Sequence, residues 1–231
     1  MAWTNDPTNT PSTGLSAVPP NGGSGFQAWT SSKTASIGTG YFLGNAAALG
    51  YANLNSADNT AFAMYGHMGG GGGSGNSTFA FRKPINPLMD NGIISLKIGV
   101  NFRNGYKGVQ FLNAGNPVFT FTVYSNLYRY RFGGAYDYQN TTGYNTWASL
   151  AYQSNSVFNF IYTKISSSFA TIDMSRTSSD PSSPEELATF NSSAAINKTV
   201  DEIRFFVDSA DNSLEANNLY FNFLSAYNAY R

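Results

Sequence analysis

Apolar and polar residues alternate along most of the chain that follows Phe26. Ile94, Leu96 and Ile98 are separated by single polar residues, and the same pattern continues to Phe102. A period of two predicts a β-strand that buries one face and exposes the other. The same alternation predicts further strands at 119–123, 203–207 and 219–223. The segments 157–165 and 169–174 are apolar on both faces, which predicts strands near a sheet centre.

Weaker versions of this pattern predict additional short strands, separated by turns rich in glycine and asparagine. They fall at 26–29, 41–43, 62–65, 78–82, 109–112 and 128–132. About a dozen alternating strands without intervening helices favour antiparallel sheets. We therefore expect an all-β fold, an antiparallel two-sheet β-sandwich of the jelly-roll type, with a closed barrel as the alternative.

One segment has the signals of a helix. Ser183 can cap a helix N-terminus, Pro184 suits the first helical position, and Glu186 stands three residues after Ser183 as in a capping box. These signals predict a short helix near 184–190.

The two glycine-rich segments define the expected domain organisation. Residues 1–25 combine four prolines and a Gly-Gly-Ser-Gly cluster with almost no apolar periodicity, which predicts a flexible N-terminal arm. The run 67–75 includes five consecutive glycines, but alternation continues on both sides of it. We expect this run to be a long hairpin loop joining two strands of one sheet, so that 26–231 forms a single β-sandwich domain.

The composition excludes several function classes. Charged residues make up only 11% of the 231, with 13 basic and 13 acidic side chains, so no basic footprint for nucleic acid is visible. No apolar run approaches the ~18 residues of a membrane span, so we expect no membrane insertion. The chain has no cysteine, which excludes disulfides and thiolate chemistry. The N-terminal residues lack a signal-peptide pattern, so an exported protein would have lost its signal.

The order of several aromatic and glycine landmarks resembles a known family. In the first half these landmarks are Gly22–Trp29, Gly40–Gly44, Phe62–Tyr65 and Phe79–Arg82. In the second half they are Ile94–Asn104, Lys107–Leu112, Asp201–Phe206 and Asn217–Asn222. Over about residues 20–228 the chain is similar to concanavalin A-like jelly-roll modules of secreted and cell-surface bacterial proteins. The resemblance implies an extracellular or cell-surface location, and a fold that serves lectins, glycosidases, adhesins and coat proteins alike.

Catalysis is not indicated by the acidic residues or by the single histidine. Retaining glycosidases need two carboxylates about 5–5.5 Å apart, which on one strand means acidic residues at alternate positions. No predicted strand has such a pair, and His67 adjoins the glycine run. We expect a non-enzymatic protein, with glycoside hydrolysis as the remaining catalytic alternative.

An acidic turn is the one candidate metal site. Asp208, Asp211 and Glu215 lie close in sequence and offer the hard oxygen ligands that calcium prefers. The turn lacks the glycine and spacing of an EF-hand, and a solvated Asx-rich turn is the alternative. Because jelly-roll modules often hold a structural calcium, the resemblance supports calcium as a weak candidate.

Aromatic residues beside amide and guanidinium groups point to glycan binding. A sugar stacks its apolar face on an aromatic ring while Asn, Gln and Arg bind its hydroxyls. The candidate ligand-binding residues are Tyr128, Arg129, Tyr130, Arg131, Tyr136, Tyr138, Tyr144 and Trp147. The alternative for each ring is core packing, because one face of 128–132 must point inward.

A second class of function is assembly or adhesion at a cell surface. A chain poor in charge and rich in Asn, Thr and Tyr can associate with copies of itself through exposed rings, or by adding its N-terminal arm to the sheet edge of a neighbour. The sequence thus leaves two partners open, a glycan or polysaccharide and the protein itself.

Overall fold

The computed structural model describes fourteen β-strands and a single turn of 3-10 helix, Ala46–Leu49. The described residues are 25–27, 29–34, 39–51, 53–55, 59–66, 77–100, 105–124, 127–134, 143–146, 156–177, 186–191, 194–208 and 218–228. The strands are β1 Thr30–Lys33, β2 Thr39–Gly44, β3 Ala61–Gly66, β4 Ser77–Arg82, β5 Gly92–Val100, β6 Tyr106–Asn113, β7 Asn116–Tyr124, β8 Leu127–Phe132, β9 Asn145–Thr146, β10 Ser156–Lys164, β11 Ala170–Thr177, β12 Glu186–Asn191, β13 Glu202–Asp208 and β14 Leu219–Asn228.

These strands form two antiparallel sheets of seven strands each. Sheet 1 has the order β1-β4-β13-β6-β7-β8-β9, and sheet 2 has the order β12-β11-β10-β5-β14-β3-β2. The chain crosses repeatedly between them, since β3, β4 and β5 alternate between the sheets and β13 and β14 lie in different ones. The predicted all-β, two-sheet sandwich is confirmed, and the closed barrel is wrong.

The alternation read from the sequence determines what lies between the sheets. Ile94, Leu96 and Ile98 of β5 are fully buried in the main hydrophobic core. Aromatic rings join the two sheets at its centre, where Phe205 of sheet 1 stacks on Phe221 of sheet 2 with centroids 4.3 Å apart. Such offset aromatic packing adds stability beyond the area that it buries.

Sheet 2 carries a second, smaller apolar cluster on its outer face. Tyr51 and Leu54, which follow the 3-10 turn, are fully buried there with Tyr220. Gly99 makes this packing possible, because a Cβ at that position would lie 2.7 Å from Leu54 Cδ2. Asn222 Nδ2 anchors the same loop by donating to the Leu54 carbonyl at 2.9 Å.

The predicted helix near 184–190 is wrong over its described residues. Residues 186–191 form β12, which pairs in unbroken register with β11. Ala188 and Phe190 pack on the core while Leu187 is 75% exposed, so this segment too alternates with a period of two. Pairing with a neighbouring strand therefore overrides the local capping signals, because tertiary contacts outweigh a local preference for helix. Residues 184 and 185 lie outside the described part.

The sequence predicts that the glycine run joins two strands of one sheet, and this prediction is wrong. The run lies between β3 of sheet 2 and β4 of sheet 1, so it connects the sheets. Met64 before the run and Ala80 after it contribute to the same core. The run itself and residues 1–24 of the predicted arm lie outside the described residues. In the part of the chain that the structure describes, no helix is long and apolar enough to span a membrane.

Candidate functional site

The outer face of sheet 1 is unusually polar for a surface that is mostly buried. Phe205, Val109 and Phe121 point into the core. The residues that alternate with them therefore face outward. Strand register aligns these outward residues into rows, and one row consists of Arg204, Gln110, Thr120 and Arg131 on β13, β6, β7 and β8.

Two further rows lie parallel to the first one. Thr122 of β7 is opposite Arg129 of β8, and Arg129 is opposite Thr146 of β9. In the last row, Asp208 of β13 is opposite Tyr106 of β6. Together with Tyr124, these residues form what we term the outer-face cluster. Its members are Tyr106, Gln110, Thr120, Thr122, Tyr124, Arg129, Arg131, Arg204 and Asp208.

The floor of the cluster is a chain of buried hydrogen bonds. The Arg204 guanidinium donates to the Gln110 side-chain oxygen, and Gln110 Nε2 donates to Thr120 Oγ1 at 3.0 Å. All three residues are fully buried, and Arg204 Cζ lies 5.5 Å from the centroid of the Phe79 ring. Burial lowers the pKa of Arg204 to about 9. Because a buried charge is costly unless its partners are fixed, this chain holds the strands in one geometry.

A pair of tyrosines forms the half-buried side of the cluster. The rings of Tyr106 and Tyr124 are stacked, with centroids 4.4 Å apart and planes within 2° of parallel. Arg129 Cζ lies 5.2 Å from the Tyr124 centroid. Burial raises the pKa of Tyr106 to about 12; Tyr124 and Asp208 add to the shift and Arg129 opposes it. The Tyr106 phenol is therefore neutral at physiological pH, and the Arg129 guanidinium lies beside the pair.

The two arginines of β8 lie on the same face but have different surroundings. Arg131 is buried, and its Cζ lies 4.6 Å from the centroid of the Tyr144 ring. Gly134 leaves room for it, because a Cβ at that position would lie 2.9 Å from Arg131 Cζ. Arg129 is half-buried, and its Nη1 has no hydrogen-bond partner among the described residues. The same holds for the buried Thr122 Oγ1 on the neighbouring strand.

Two of the predicted ligand-binding rings face the core instead of a ligand. Tyr128 is 1% exposed and packs against Phe158, with centroids 4.9 Å apart. The prediction that its ring stacks on a sugar is wrong, because the ring lies between the sheets. Tyr130 is half-buried and packs on the core against Phe190 at 4.6 Å, so its ring also points inward. Arg129 and Arg131, which alternate with these tyrosines, are the outward residues of β8.

The remaining predicted site residues are only partly within the described structure. Tyr144 is half-buried beside Arg131, whereas Tyr136, Tyr138 and Trp147 lie outside the described residues. Of the candidate calcium ligands, Asp208 is fully buried at the end of β13, and Asp211 and Glu215 lie outside the described part. Within the described ranges, no three acidic or histidine side chains group as a metal site would require.

The carboxylates on this face are too far apart for retaining glycoside hydrolysis. Glu202 and Asp208 share the outer face of β13 and are six residues apart along the strand. At about 3.4 Å per residue, their backbones are separated by about 20 Å. This spacing exceeds the ~5–5.5 Å of a retaining pair and the ~9.5 Å upper limit of an inverting pair.

Much of the outer-face cluster is absent from the sequence-based candidates. Gln110, Thr120, Thr122 and Arg204 are single polar residues between core positions of predicted strands. Taken alone, each of these residues is predicted to be an ordinary solvent-exposed residue on the polar face of its strand. Their shared face follows from alternation, but their alignment into rows depends on strand order and register, which pair Arg204 with Gln110, 94 positions away.

The structure is similar at low identity to several solved domains. One is the CBM2 module of evolved Dit from Lactobacillus casei BL23 phage J-1, with 10% identity over 85% of this chain and 97% of that one and a TM-score of 0.41. Another is the potassium-bound carbohydrate recognition domain of Emp46p, with 9% identity, 86% and 88% coverage and a TM-score of 0.42. The binding domain of botulinum neurotoxin serotype C1 matches with 13% identity and a TM-score of 0.39, and this chain covers 43% of it.

No protein-family model matches the chain, and no curated protein matches its sequence. At TM-scores near 0.4, the structural likenesses do not bear on function. The case for a function therefore rests on the residues of this chain.

Proposed function

We propose that the protein is a non-catalytic glycan-binding module of the extracellular space or cell surface, and that it binds through the outer face of sheet 1. One observation carries this proposal. The stacked rings of Tyr106 and Tyr124, both half-buried, lie beside the Arg129 guanidinium on a face that also carries hydroxyl, amide and further guanidinium groups.

The chemistry of these groups suits a sugar. A tyrosine ring offers a flat apolar surface to the C–H face of a pyranose, and its hydroxyl can donate to or accept from a sugar hydroxyl. Arg129 contributes several N–H donors in a fixed plane. The buried Arg204–Gln110–Thr120 chain lies two rows from the tyrosine pair on the same face, and its role is to position β6 and β7 rather than to contact the ligand.

The loop residues predicted from sequence extend this proposal. Tyr136, Tyr138 and Trp147 follow β8 in the chain, and Tyr144 already lies against Arg131. We propose that they add ring surface beside the outer-face cluster. Tyr138→Ala and Trp147→Ala should then weaken retention on the bound glycan; full retention by both variants would restrict the site to the cluster.

A matched pair of tyrosine substitutions tests the binding face. A glycan array would identify the best-bound glycan, and titration calorimetry would measure its affinity for Tyr106→Ala and Tyr227→Ala. Tyr227 is a half-buried tyrosine on β14 of the opposite sheet, so it controls for the loss of a ring. Loss of one stacking ring should weaken binding about 10- to 100-fold in Tyr106→Ala only. Equal affinities for the two variants would contradict the proposed face.

Calcium remains a proposal that rests mainly on the acidic turn. Asp208, buried at the start of the turn, would contribute a carboxylate together with Asp211 and Glu215. A bound ion stabilises the folded state, so calcium should raise the melting temperature and a chelator should lower it. An unchanged melting temperature would exclude the ion.

A specific observation also favours self-association as a second function. Among the described residues, β12 pairs only with β11, and Leu187 on this edge strand is 75% exposed. Residues 187–191 contain no charge and no proline, which are the usual protections of an edge strand. Concentration-dependent size in light scattering, abolished by Leu187→Lys, would support a second copy pairing at this edge. A particle size independent of concentration would exclude it.

A further inference from the structure

The outward side of β8 concentrates positive charge at one margin of the outer-face cluster. Arg129 and Arg131 occupy alternate positions of the strand, so both guanidinium stems leave the same face about 7 Å apart. Across β7 their partners are the neutral residues Thr122 and Thr120, and Arg129 is opposite Thr146 on β9. The cross-strand neighbours that would normally pair with an arginine are therefore hydroxyls in this sheet.

The carboxylate of the cluster lies at the opposite margin. Asp208 is on β13, three strands from β8 in the order β13-β6-β7-β8. Strands are spaced about 4.8 Å apart and Asp208 lies one row further along than Arg129, so the two backbones are about 16 Å apart. The Tyr106–Tyr124 pair occupies the two strands between them, and solvent and salt weaken the interaction of charges that far apart.

Donor groups at the same margin point to an acceptor from outside the fold. Arg129 Nη1 and Thr122 Oγ1 are buried, lie on neighbouring strands at paired positions, and have no hydrogen-bond partner among the described residues. A buried donor without a partner destabilises the fold, because it has lost its hydrogen bonds to water. An anionic oxygen is the acceptor that best satisfies a guanidinium and a hydroxyl together.

We propose that the glycan recognised by this face is acidic, and that its carboxylate or sulfate binds Arg129 and Thr122 while a neighbouring sugar ring stacks on the Tyr106–Tyr124 pair. This inference rests on the proposed function and specifies the ligand class of the same site. Arg131 lies two residues further along β8 on the same face, and its positive charge also attracts an anionic group. Its position against Tyr144 makes it a positioning residue for the loop after β8.

The experiment uses the full chain and matched acidic and neutral glycans. Polygalacturonate and its methyl ester isolate the carboxylate, and dextran sulfate and unmodified dextran isolate the sulfate. A glycan array with further acidic and neutral members is probed in parallel. We expect the acidic member of a pair to bind at least about 10-fold more tightly than its neutral counterpart, with a preference that weakens as salt rises.

Two variants connect this preference to the proposed residues. Arg129→Gln should lower the affinity for the acidic glycan about 10- to 100-fold and leave the neutral member unchanged. Lys97→Gln removes a half-buried cation from the outer face of sheet 2, where Lys97 Nζ lies 5.0 Å from the Phe223 centroid, and should change neither affinity. Thermal melts of both variants establish that they are folded.

The possible results separate this inference from the proposed function. Equal or tighter binding of neutral glycans, or an acidic preference that survives Arg129→Gln, would overturn the inference and leave glycan binding standing. An absence of binding across the whole array would refute the proposed function, and the inference with it.

Discussion

The stack of Phe205 and Phe221 makes a quantitative prediction about what holds the two sheets together. Phe221 is fully buried, and its ring centroid lies 4.3 Å from that of Phe205 and 5.4 Å from that of Phe62. Trp29 packs edge-on against the same ring at 5.6 Å. Truncation to alanine removes these contacts and leaves a cavity between the sheets. The expected cost for Phe221→Ala is about 3–5 kcal/mol.

Two further substitutions separate ring geometry from apolar volume. Phe221→Leu keeps most of the buried volume but loses three aromatic contacts of about 0.5–1.5 kcal/mol each, so it should cost at least about 1.5 kcal/mol and less than Phe221→Ala. Phe223→Ala is the matched control on the same strand. Phe223 lies at the β-bulge with φ +56° and contacts the Lys97 ammonium, so its loss should cost less than about 1 kcal/mol.

Urea denaturation measures all three costs. For an m-value of about 3 kcal/mol/M, Phe221→Ala should lower the unfolding midpoint by more than about 1 M and Phe223→Ala by less than about 0.4 M. If Phe221→Ala and Phe223→Ala cost the same, the aromatic stack does not link the sheets and the reasoning about the core is refuted.

Three other perturbations have directions set by the structure. Gly99→Val places side-chain atoms where Leu54 packs, and should lower the free energy of unfolding by about 1–3 kcal/mol in urea titrations; an unchanged stability would mean that the loop over sheet 2 is not packed there. Burial raises the pKa of Tyr106 and of Tyr162 to about 12, so the fold favours the neutral phenols. The stabilising contribution of these two neutral phenols is complete below pH ~10 and is lost as the pH rises through ~12. Circular dichroism should record the loss as alkaline unfolding, and Tyr162→Phe should reduce it. The Asp201 carboxylate accepts a hydrogen bond from the backbone N–H of Ala114, in the β6–β7 turn, at 2.9 Å. Asp201→Ala removes this bond and should lower the melting temperature modestly. Asp201→Asn keeps an acceptor oxygen and should restore part of the loss.

The existence of most strands follows from sequence because burial of one sheet face imposes a period of two. The pattern at 94–102 matches β5, Gly92–Val100, and its apolar residues are the core-facing ones. The signal failed at 186–191, where a capping box competed with an alternation that is evident only once Ala188 and Phe190 are seen to face the core. Local signals cannot reveal that an edge of sheet 2 is available for pairing.

The sequence-based candidates on β8 include residues from both of its faces. Alternation in 128–132 requires that tyrosines and arginines face opposite sides, but it does not specify which set faces inward. The structure shows that Tyr128 and Tyr130 complete the core, which leaves Arg129 and Arg131 outside. The Tyr106–Tyr124 pair depends on the register between β6 and β7, a long-range property that single-strand patterns do not contain.

Footprinting by oxidative labelling and mass spectrometry tests the central claim most directly, because it reports which face a bound glycan covers. With the best-bound glycan present, labelling of Tyr106 and Tyr124 on sheet 1 should fall severalfold, while labelling of Tyr227 on sheet 2 should stay unchanged. Protection of Tyr227 with no change at Tyr106 and Tyr124 would contradict the assignment of the binding face.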